Sequence, residues 1–502
     1  MTRVDVRPSV YLVGAGPGDP GLLTLRAVQC LQRADVVLYD YLVNPATLEH
    51  AAPDAELIRL GRPSTGRDLS PDEITARMIE EALRGRVVVR LKGGDPSVFG
   101  RGSDETSALR AAGVAFEVVP GVTAGLAVAG YCEIPVTEAG EASAVALVTA
   151  RERGDKQASS LDYHALADFP GTLVFYMGVT RVAEWSGALL AHGKAPHTPV
   201  AVVRWCTRAA QEVVRCTLET VADVVSEREL HPPAVFVVGD VAARAPDQSW
   251  FTRRPLFGTR VFVPGTPATS RKLRDTLAEL GAEVLARPAI RLLEPDDWTA
   301  VDAALHRLDL YDWVVFSSAN GVDHVLGRLF HLGGDVRRFG GVRLAAMGSG
   351  TASALSRFHL NADLVPDEFV AESLARKLAE GAAGGRFLLV RASRGRNVLA
   401  EALAAVGGTV DQVVAYRSVD IEDPDPDVEA ALSEGTIDWI PVTSAAIARS
   451  LGRLYGATLV RTRLASIGPV TSAALRELGY EPAVEAAPHT TAALVDAILD
   501  SE

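Results

Sequence analysis

The chain has 502 residues, of which 48% are hydrophobic and 23% charged, and its formal net charge at pH 7 is -13. This length exceeds one ordinary core and predicts at least two domains, and the composition excludes wholesale disorder, a collagen-like fibre and a coiled-coil rod. The acidic balance argues against a general nucleic-acid binder, although arginines clustered locally can still bind an anionic substrate.

Targeting segments and cysteine motifs are not evident in the sequence. No apolar run approaches the ~18 residues of a membrane span, and the opening MTRVDVRPSVYLVGAGPG has no signal-peptide pattern. The four cysteines are widely spaced without a C-x-x-C pair, which argues against a disulfide framework or a structural zinc site. We therefore expect a cytoplasmic protein without a metal, a membrane contact or a nucleic-acid partner.

The first half alternates short β-rich runs with helical patterns. GLLTLRAVQCLQRA and PDEITARMIEEALRG predict helices, and eight runs predict strands: YLVGAG, ADVVLYD, RVVVRLKGGD, AFEVVPGV, SAVALVTAR, GTLVFYMG, PVAVVRW and PAVFVVGD. This alternation predicts an α/β architecture with mainly parallel sheets. A polar, irregular stretch at 242–258 then interrupts the pattern, and we interpret it as a linker.

The second half contains an internal repeat. Residues 260–284 align without a gap with 386–410, and YDWVVFSSANGV matches IDWIPVTSAAIA, both at an offset of 126. LAAMGSGTASAL matches LASIGPVTSAAL at an offset of 120. The repeat predicts two similar α/β lobes of ~125 residues, with a ligand cleft near the carboxyl ends of their strands.

The glycine-rich loop VGAGPGDPG at 13–21 follows a predicted strand and precedes a predicted helix. Its spacing departs from a dinucleotide-binding loop, because Asp19 interrupts the motif and Pro17 lacks the N–H that would help to cradle a pyrophosphate. A nicotinamide-dependent oxidoreductase remains an alternative interpretation. We expect the loop to cradle another ligand or a neighbouring strand.

Five motifs occur in a fixed order in the first half: VGAGPGDPGLLTLRA, YDYLV, RLKGGDPSVFGRG, VVPGVTAG and LVFYMG. They resemble those of uroporphyrinogen-III C-methyltransferases in the tetrapyrrole methylase family, and they cover nearly all of residues 9–250. The resemblance implies a domain at 1–250 with two α/β lobes. It also implies that S-adenosylmethionine binds in the cleft between the lobes and leaves as S-adenosylhomocysteine.

The same resemblance implies roles for individual residues. Asp40 matches a proposed proton acceptor, which the reaction needs because a proton is released as the methyl group is added. Arg101 matches an arginine that holds substrate carboxylates through its planar fork. Taken alone, an aspartate at a strand end is more typical of a helix cap. A surface ion pair is the less favoured alternative for Arg101, because its glycine neighbours indicate a tight, exposed loop. The implied cofactor contacts are Pro17, Gly93, Gly94, Asp95, Val98, Thr123, Ala124, Met177 and Cys206.

The substrate side departs from the family pattern. Ala139 stands where the family has a carboxylate-binding arginine, and Arg62 stands where a lysine is the proposed proton donor. A guanidinium is far too weak an acid for that donation. Arg151 and Arg153 are candidates by position to compensate for Ala139. Altered specificity or a weakened methyltransferase is therefore an open alternative.

Residues 258–502 resemble uroporphyrinogen-III synthases in YDWVVFSSANGV, LVPDEFVAESLA, VVAYRS and IGPVTSAALRELG. The resemblance implies one lobe at about 258–292 plus 418–502 and a second at about 295–416. Enzymes of this family close hydroxymethylbilane into a ring with its last pyrrole inverted, without a metal or a redox change. Gly265 stands where an arginine is common.

The synthase resemblance places the chemistry at strand ends and turns. Tyr416 matches a tyrosine implicated in the departure of the leaving hydroxyl, although a tyrosine at a strand end is ordinarily part of the core. Hydroxyl and backbone donors for acetate and propionate arms are expected from Ser318, Thr443, Ser444, Gly468 and Thr471. Singly, such serines and threonines are usually local caps.

The two resemblances converge on one metabolite, because uroporphyrinogen III is the product of the synthase and the substrate of the methylase. The leading hypothesis is a bifunctional enzyme that makes precorrin-2 from hydroxymethylbilane for the sirohaem or cobalamin branch, with a homodimer formed through the methylase half. The alternatives are a methylase of the same fold acting on a later precorrin, and an active synthase with a degenerate methylase domain.

Overall fold

The structure is a computed structural model that describes residues 8–61, 69–151, 160–367, 371–381, 384–394 and 397–502. Two compact units divide the chain. Unit one comprises the residues up to Arg260 together with Leu277–Leu285, and unit two comprises Val261–Thr276 together with Ala286–Glu502. No helix in the described ranges combines the length and the hydrophobicity that crossing a membrane needs.

A five-stranded parallel sheet forms the first part of unit one, in the order β3-β2-β4-β1-β5. Strands β1 and β4 are buried along their whole length, as is typical at the centre of a parallel sheet. The sequence did not predict β3. The strands are β1 (Val10–Gly14), β2 (Val36–Asp40), β3 (Glu56–Leu60), β4 (Val88–Lys92) and β5 (Phe116–Val119). The α-helices are α1 (Leu25–Leu31), α2 (Pro71–Leu83), α3 (Gly102–Ala111) and α4 (Ala124–Tyr131).

A second sheet completes unit one, in the order β6-β7-β10-β8-β9. Its strands are β6 (Val145–Thr149), β7 (Thr172–Tyr176), β8 (Pro199–Arg204), β9 (Glu212–Thr217) and β10 (Ala234–Val238), and its helices are α5 (Tyr163–Ala167), α6 (Val182–Ala191) and α7 (Val221–Glu227). Only β6 and β7 pair in parallel, whereas β10 pairs antiparallel with β7 and β8, and β8 with β9. The prediction of mainly parallel sheets is therefore wrong here. The link between β8 and β9 is too short for the crossover helix that parallel strands need.

The stretch at 242–258, predicted as a linker, packs against helix α4 of unit one. The indole Nε1 of Trp250 donates to the carbonyl of Gly130 at 2.6 Å. The ring of Phe251 lies edge-on to Tyr131, with 4.9 Å between the ring centroids. These contacts make the stretch part of the folded unit.

Two five-stranded sheets account for the second half, in the orders β12-β11-β18-β19-β20 and β13-β17-β16-β14-β15. The strands are β11 (Arg260–Val263), β12 (Glu283–Ala286), β13 (Ile290–Leu293), β14 (Trp313–Phe316), β15 (Arg343–Ala346), β16 (Arg386–Ala392), β17 (Thr409–Asp420), β18 (Trp439–Val442), β19 (Arg463–Ser466) and β20 (Val484–Glu485). The helices are α8 (Pro267–Glu279), α9 (Thr299–His306), α10 (Ala319–His331), α11 (Ser349–Ser356), α12 (Ala371–Gly381), α13 (Val398–Ala405), α14 (Pro426–Glu434), α15 (Ala445–Tyr455), α16 (Pro469–Glu477) and α17 (Thr491–Leu499).

The internal repeat is visible as matching elements. Strand β18 begins 439 − 313 = 126 residues after β14, and β19 begins 463 − 343 = 120 residues after β15. Ser318 and Ser444 cap helices α10 and α15, since each side-chain oxygen accepts an N–H from the first turn of its helix. The α/β class and the repeat are confirmed.

Candidate functional site

A cavity of about 990 Å³ lies in unit one, at the carboxyl ends of β1, β2, β4, β7 and β8. Ligand sites in α/β proteins commonly occupy this position. Asp40, Arg101 and Arg151 line the cavity. Its wall also holds every residue that the sequence analysis assigns to the cofactor, namely Pro17, Gly93, Gly94, Asp95, Val98, Thr123, Ala124, Met177 and Cys206.

Of the two residues that depart from the family pattern on the substrate side, the structure describes only Ala139. Ala139 is exposed and does not belong to the residues that line the cavity. Arg62 and Arg153 lie outside the described residues. Of the two arginines considered as compensation for Ala139, Arg151 is therefore the one with an observed position, and it lies on the cavity wall.

Glycines allow the loops after β1, β4 and β5 to touch backbone to backbone beneath the cavity. A Cβ atom added at Gly121 would lie 2.2 Å from the carbonyl oxygen of Gly94, which no side chain can tolerate. Gly94 itself has a φ of +69°, a conformation that favours glycine. The N–H of Gly94 donates to the carbonyl of Gly16 at 2.8 Å. Because glycines have no side chain at these contacts, a ligand can approach the backbone atoms of these loops directly.

Polar side chains hold these loops and the start of α4 in place. Asp95 accepts the N–H of Ser97 at 2.7 Å and the N–H of Gly121 at 2.9 Å, one at each carboxylate oxygen. The phenol oxygen of Tyr176 accepts the N–H of Gly125 at 2.8 Å and lies 2.8 Å from Thr123 Oγ1. The side chain of Asp95 thus ties its own loop to the loop after β5, and Tyr176 caps the first turn of α4.

Several residues around the cavity have a backbone that L-residues rarely adopt. Phe99, Arg101, Met177 and Trp205 line it with φ values between +45° and +55°. Such conformations cost roughly 1–3 kcal/mol each and concentrate at functional sites. Among the described residues, the guanidinium of Arg101 has no ion-pair partner, so its charge is available to a ligand.

A chain of four charged side chains lies beside the cavity. Arg90 Nη2 donates to Asp40 Oδ1 at 2.5 Å, and Arg90 Nε donates to Glu105 Oε1 at 3.1 Å. Lys92 Nζ donates to both oxygens of Glu105, at 2.8 and 2.9 Å. Burial and the charge of Arg90 lower the pKa of Lys92. We call Asp40, Arg90, Glu105 and Lys92 the charge chain.

The residues that line the cavity suit S-adenosylmethionine in their chemistry. Glycine backbone and the Thr123 hydroxyl can meet the polar groups of the cofactor, while apolar side chains such as Val98, Phe99 and Val203 suit its adenine. Cys206 lies on the wall, and its hydrogen bond to Cys132 together with burial raises the pKa of its thiol.

In unit two, the side chains of Tyr416, Ser318 and His324 form a smaller polar cluster. The Tyr416 hydroxyl lies 2.9 Å from Ser318 Oγ. The ring of His324 stacks on the Tyr416 ring, with 5.2 Å between the centroids. Only 6% of Tyr416 is exposed, so its hydroxyl is held in one place.

The other predicted substrate contacts of unit two gather on the other sheet. Thr443 and Ser444 follow Val442, which is the register partner of Ser466 on β19. Gly468 and Thr471 lie just beyond Ser466, at the start of α16. Because β18 and β19 run in parallel, these four residues share one edge of the sheet. Among the described residues, no group of three or more His, Cys, Asp or Glu is arranged to hold a metal ion.

Two family models match the chain. The model described as Tetrapyrrole (Corrin/Porphyrin) Methylases matches residues 9–222, and the model described as Uroporphyrinogen-III synthase HemD matches residues 271–496. The porphyrin biosynthesis protein HemD of Ruminiclostridium josui is 33% identical over 437 residues, which cover 87% of this chain and 86% of that protein. The chain belongs to the tetrapyrrole methylase and uroporphyrinogen-III synthase families.

Two further relatives match chiefly the methylase half. The S-adenosyl-L-methionine-dependent uroporphyrinogen III methyltransferase of Methanosarcina barkeri is 46% identical over 232 residues, covering 46% of this chain and 91% of that protein. The uroporphyrinogen-III C-methyltransferase of Bacillus subtilis is 41% identical over 313 residues, covering 62% of this chain and 64% of that protein. The methylase half therefore matches a relative along nearly its whole length.

Sequence reasoning missed Arg90, Lys92, Tyr176 and Phe99 in the methylase half. A signal for two of them was present, because Arg90 and Lys92 are two residues apart in a predicted strand and so share one face of the sheet. Buried charges need partners, and Glu105 of the adjoining helix is that partner. The contact of Tyr176 with the start of α4 had no sequence signal.

Proposed function

We propose that this chain is a bifunctional enzyme of tetrapyrrole biosynthesis. Its synthase half cyclises hydroxymethylbilane to uroporphyrinogen III, and its methylase half methylates that product twice with S-adenosylmethionine to give precorrin-2. The observation that carries the proposal is the presence of both families in one chain, since the product of one is the substrate of the other. The sirohaem or cobalamin branch would consume precorrin-2.

In the methylase half, the 990 Å³ cavity is the proposed active site. S-adenosylmethionine supplies an electrophilic methyl group when it is bound. Asp40, at the end of β2, takes up the proton that the macrocycle loses elsewhere as the methyl group is added, since the methylated carbon itself carries no hydrogen. Arg101 binds a substrate carboxylate with its fork, and its glycine neighbours support this placement, because a Cβ at Gly102 would collide with the Pro96 carbonyl at 2.5 Å. The proposed cofactor contacts are the nine residues assigned above from the sequence, all of which line the cavity.

In the synthase half, Tyr416 is the proposed acid. Ring closure begins when the C–O bond of the hydroxymethyl group breaks, and the Tyr416 hydroxyl donates a proton so that the oxygen leaves as water. Ser318 supports this role because its oxygen lies 2.9 Å from the phenol and is itself fixed by the N–H of Gly321 at 3.1 Å. Thr443, Ser444, Gly468 and Thr471 supply donors for carboxylate arms of the substrate.

One incubation tests both halves. Purified full-length protein receives freshly generated hydroxymethylbilane with or without S-adenosylmethionine, and products are identified by chromatography and mass. The expected products are uroporphyrinogen III without the cofactor and its dimethylated derivative with it. The type I isomer alone, which forms by spontaneous closure, would refute the synthase activity.

A second candidate function follows from one departure in the methylase half. Ala139 lacks the arginine of the family pattern, which favours an active synthase with a degenerate or differently directed methylase domain. In that case the incubation yields uroporphyrinogen III in both tubes. A later precorrin as the true substrate would be recognised by methylation of that compound instead.

We also propose a cytoplasmic location and a homodimer formed through the methylase half. The four cysteines are free in the structure, as suits a reducing compartment. Light scattering on the full-length protein and on residues 1–260 tests the dimer. A monomeric full chain would refute it.

A further inference from the structure

The charge chain contains a residue whose purpose is not explained by folding alone. Arg90 is 4% exposed, and its side chain makes four hydrogen bonds. Nε donates to Glu105, and Nη1 donates to the carbonyls of Leu38 and Leu91 at 3.4 and 3.1 Å. Nη2 donates to Asp40. Arg90 and both of its carboxylate partners, Glu105 and Asp40, lie on the cavity wall. Three of the four contacts fix the guanidinium plane, and the fourth joins it to Asp40.

Asp40 is the most exposed member of the charge chain. Its side chain is 30% exposed, compared with 5% for Arg90 and Lys92 and 8% for Glu105. Arg90 binds Oδ1 of Asp40, and among the described residues no hydrogen bond engages Oδ2. Arg90 thus fixes Oδ1, and Oδ2 can contact a ligand in the cavity.

The charges of the chain balance in a particular way. Two cations and two anions give a net charge of zero, which offsets the cost of burying them. Glu105 and Lys92 form a pair on their own, with both carboxylate oxygens bound to the same ammonium. This inner pair is charge-balanced without Arg90. Arg90 is the extra member, and it joins the inner pair to Asp40.

We propose that Arg90 is a positioning residue, which holds the Asp40 carboxylate in the orientation required to accept the substrate proton. Glu105, itself held by Lys92, keeps the Arg90 guanidinium in place. The inference rests on the proposed function, because it explains how Asp40, the proposed base, is oriented. A base must lie within hydrogen-bond reach of the proton that it takes, and misplacement by about 1 Å can cost on the order of 100-fold in rate.

The test is a double-mutant cycle on the full-length enzyme. Arg90→Met leaves the Glu105–Lys92 pair intact and charge-balanced, and we expect methylation kcat to fall about 100-fold. Affinity for S-adenosylhomocysteine, measured by calorimetry, should change less than about threefold because the hydrogen bonds of Arg90 go to protein groups. In an Asp40→Asn background the same change should lower kcat less than about threefold, because Arg90 acts through Asp40.

Two further variants control for structural damage. Arg90→Lys keeps the charge but lacks the fork, and it should recover part of the lost kcat. Arg86→Met removes an ion pair to the buried Glu81, at 2.9 Å, on the far end of the same strand region. That glutamate keeps Arg84 and Arg77 as partners. Arg86→Met should leave kcat within about twofold of the unchanged enzyme.

The outcomes separate this proposal from the proposed function. If the unchanged enzyme does not methylate uroporphyrinogen III, the proposed function fails and the role of Asp40 fails with it. If the unchanged enzyme is active, the proposal is overturned when Arg90→Met keeps full kcat, or when it costs the same factor in both backgrounds. Loss of S-adenosylhomocysteine binding in both Arg90 variants would also overturn it.

Discussion

Replacing Tyr176 with phenylalanine removes a single oxygen from the rim of the methylase cavity. That oxygen accepts the N–H of Gly125 and contacts Thr123 Oγ1, both at 2.8 Å. Gly125 is buried in the first turn of α4, so its N–H would have no replacement partner in the protein. An unpaired buried donor costs about 1–3 kcal/mol. We expect the local stability of the α4 start to fall by about 1.5 kcal/mol.

Hydrogen exchange is the suitable measurement, because a chain with two units need not unfold in one step. A loss of about 1.4 kcal/mol corresponds to a tenfold change in the opening equilibrium, and exchange in the α4 peptide should accelerate to that extent. S-adenosylhomocysteine should bind several-fold more weakly, because Thr123 and Ala124 lose their support. Tyr480→Phe, which removes a hydroxyl from the Gly456 carbonyl in unit two, is the matched control. Unchanged exchange in α4 together with unchanged affinity would refute the reasoning.

Three other predictions concern other groups. Tyr416→Phe should lower the rate of uroporphyrinogen III formation about 100-fold, measured by the isomer ratio of the products, while Tyr311→Phe, which loses a hydrogen bond to Asp411, leaves it nearly unchanged. Arg151→Ala should raise the KM for uroporphyrinogen III about tenfold, which is the loss expected for one charge-assisted hydrogen bond, and should leave the affinity for S-adenosylhomocysteine unchanged. Arg181→Ala is the surface control. An unchanged KM would exclude Arg151 from the substrate site. Burial raises the pKa of Cys216 to about 11 from 9.0, so its alkylation rate in the native protein should rise with a midpoint near 11. Because the unfolded thiol loses its proton first, this group should lower stability as the pH rises from 9 towards 11, and an alkylation midpoint near 9 would contradict the shift.

Local patterns were enough to select loop residues that line one cavity, because glycines and strand ends mark where loops pass close to one another. The strands β1 and β4 were predicted from apolar runs that are buried from end to end, whereas the runs of β2 and β5 are only partly buried. The direction of pairing in the second sheet was not predictable in this way, because an apolar run carries no information about which neighbour it meets. The antiparallel partners of β10 are set by packing within unit one.

The charge chain and the Tyr416 contact show a second limit of sequence reasoning. Arg90 and Glu105 are 15 residues apart, and Ser318 and Tyr416 are 98 apart. Each pairing depends on how a helix docks against a strand, which neither residue specifies alone. The sequence marked Ser318 and Tyr416 as separate candidates, and only the fold brings their oxygens within 2.9 Å.

The two sheets of unit two are assembled from the chain in different ways. One takes all of its strands from the continuous stretch 290–420, whereas the other combines strands at 260–286 with strands at 439–485. On the ribosome, the continuous sheet can therefore finish folding while β11 still awaits β18, because contacts close in sequence form before distant ones. A nascent chain halted near residue 425 would present β11 with one edge unpaired, and an open edge invites association with other chains. Strand β18 thus protects a strand made more than 170 residues earlier, since β11 begins at 260 and β18 at 439.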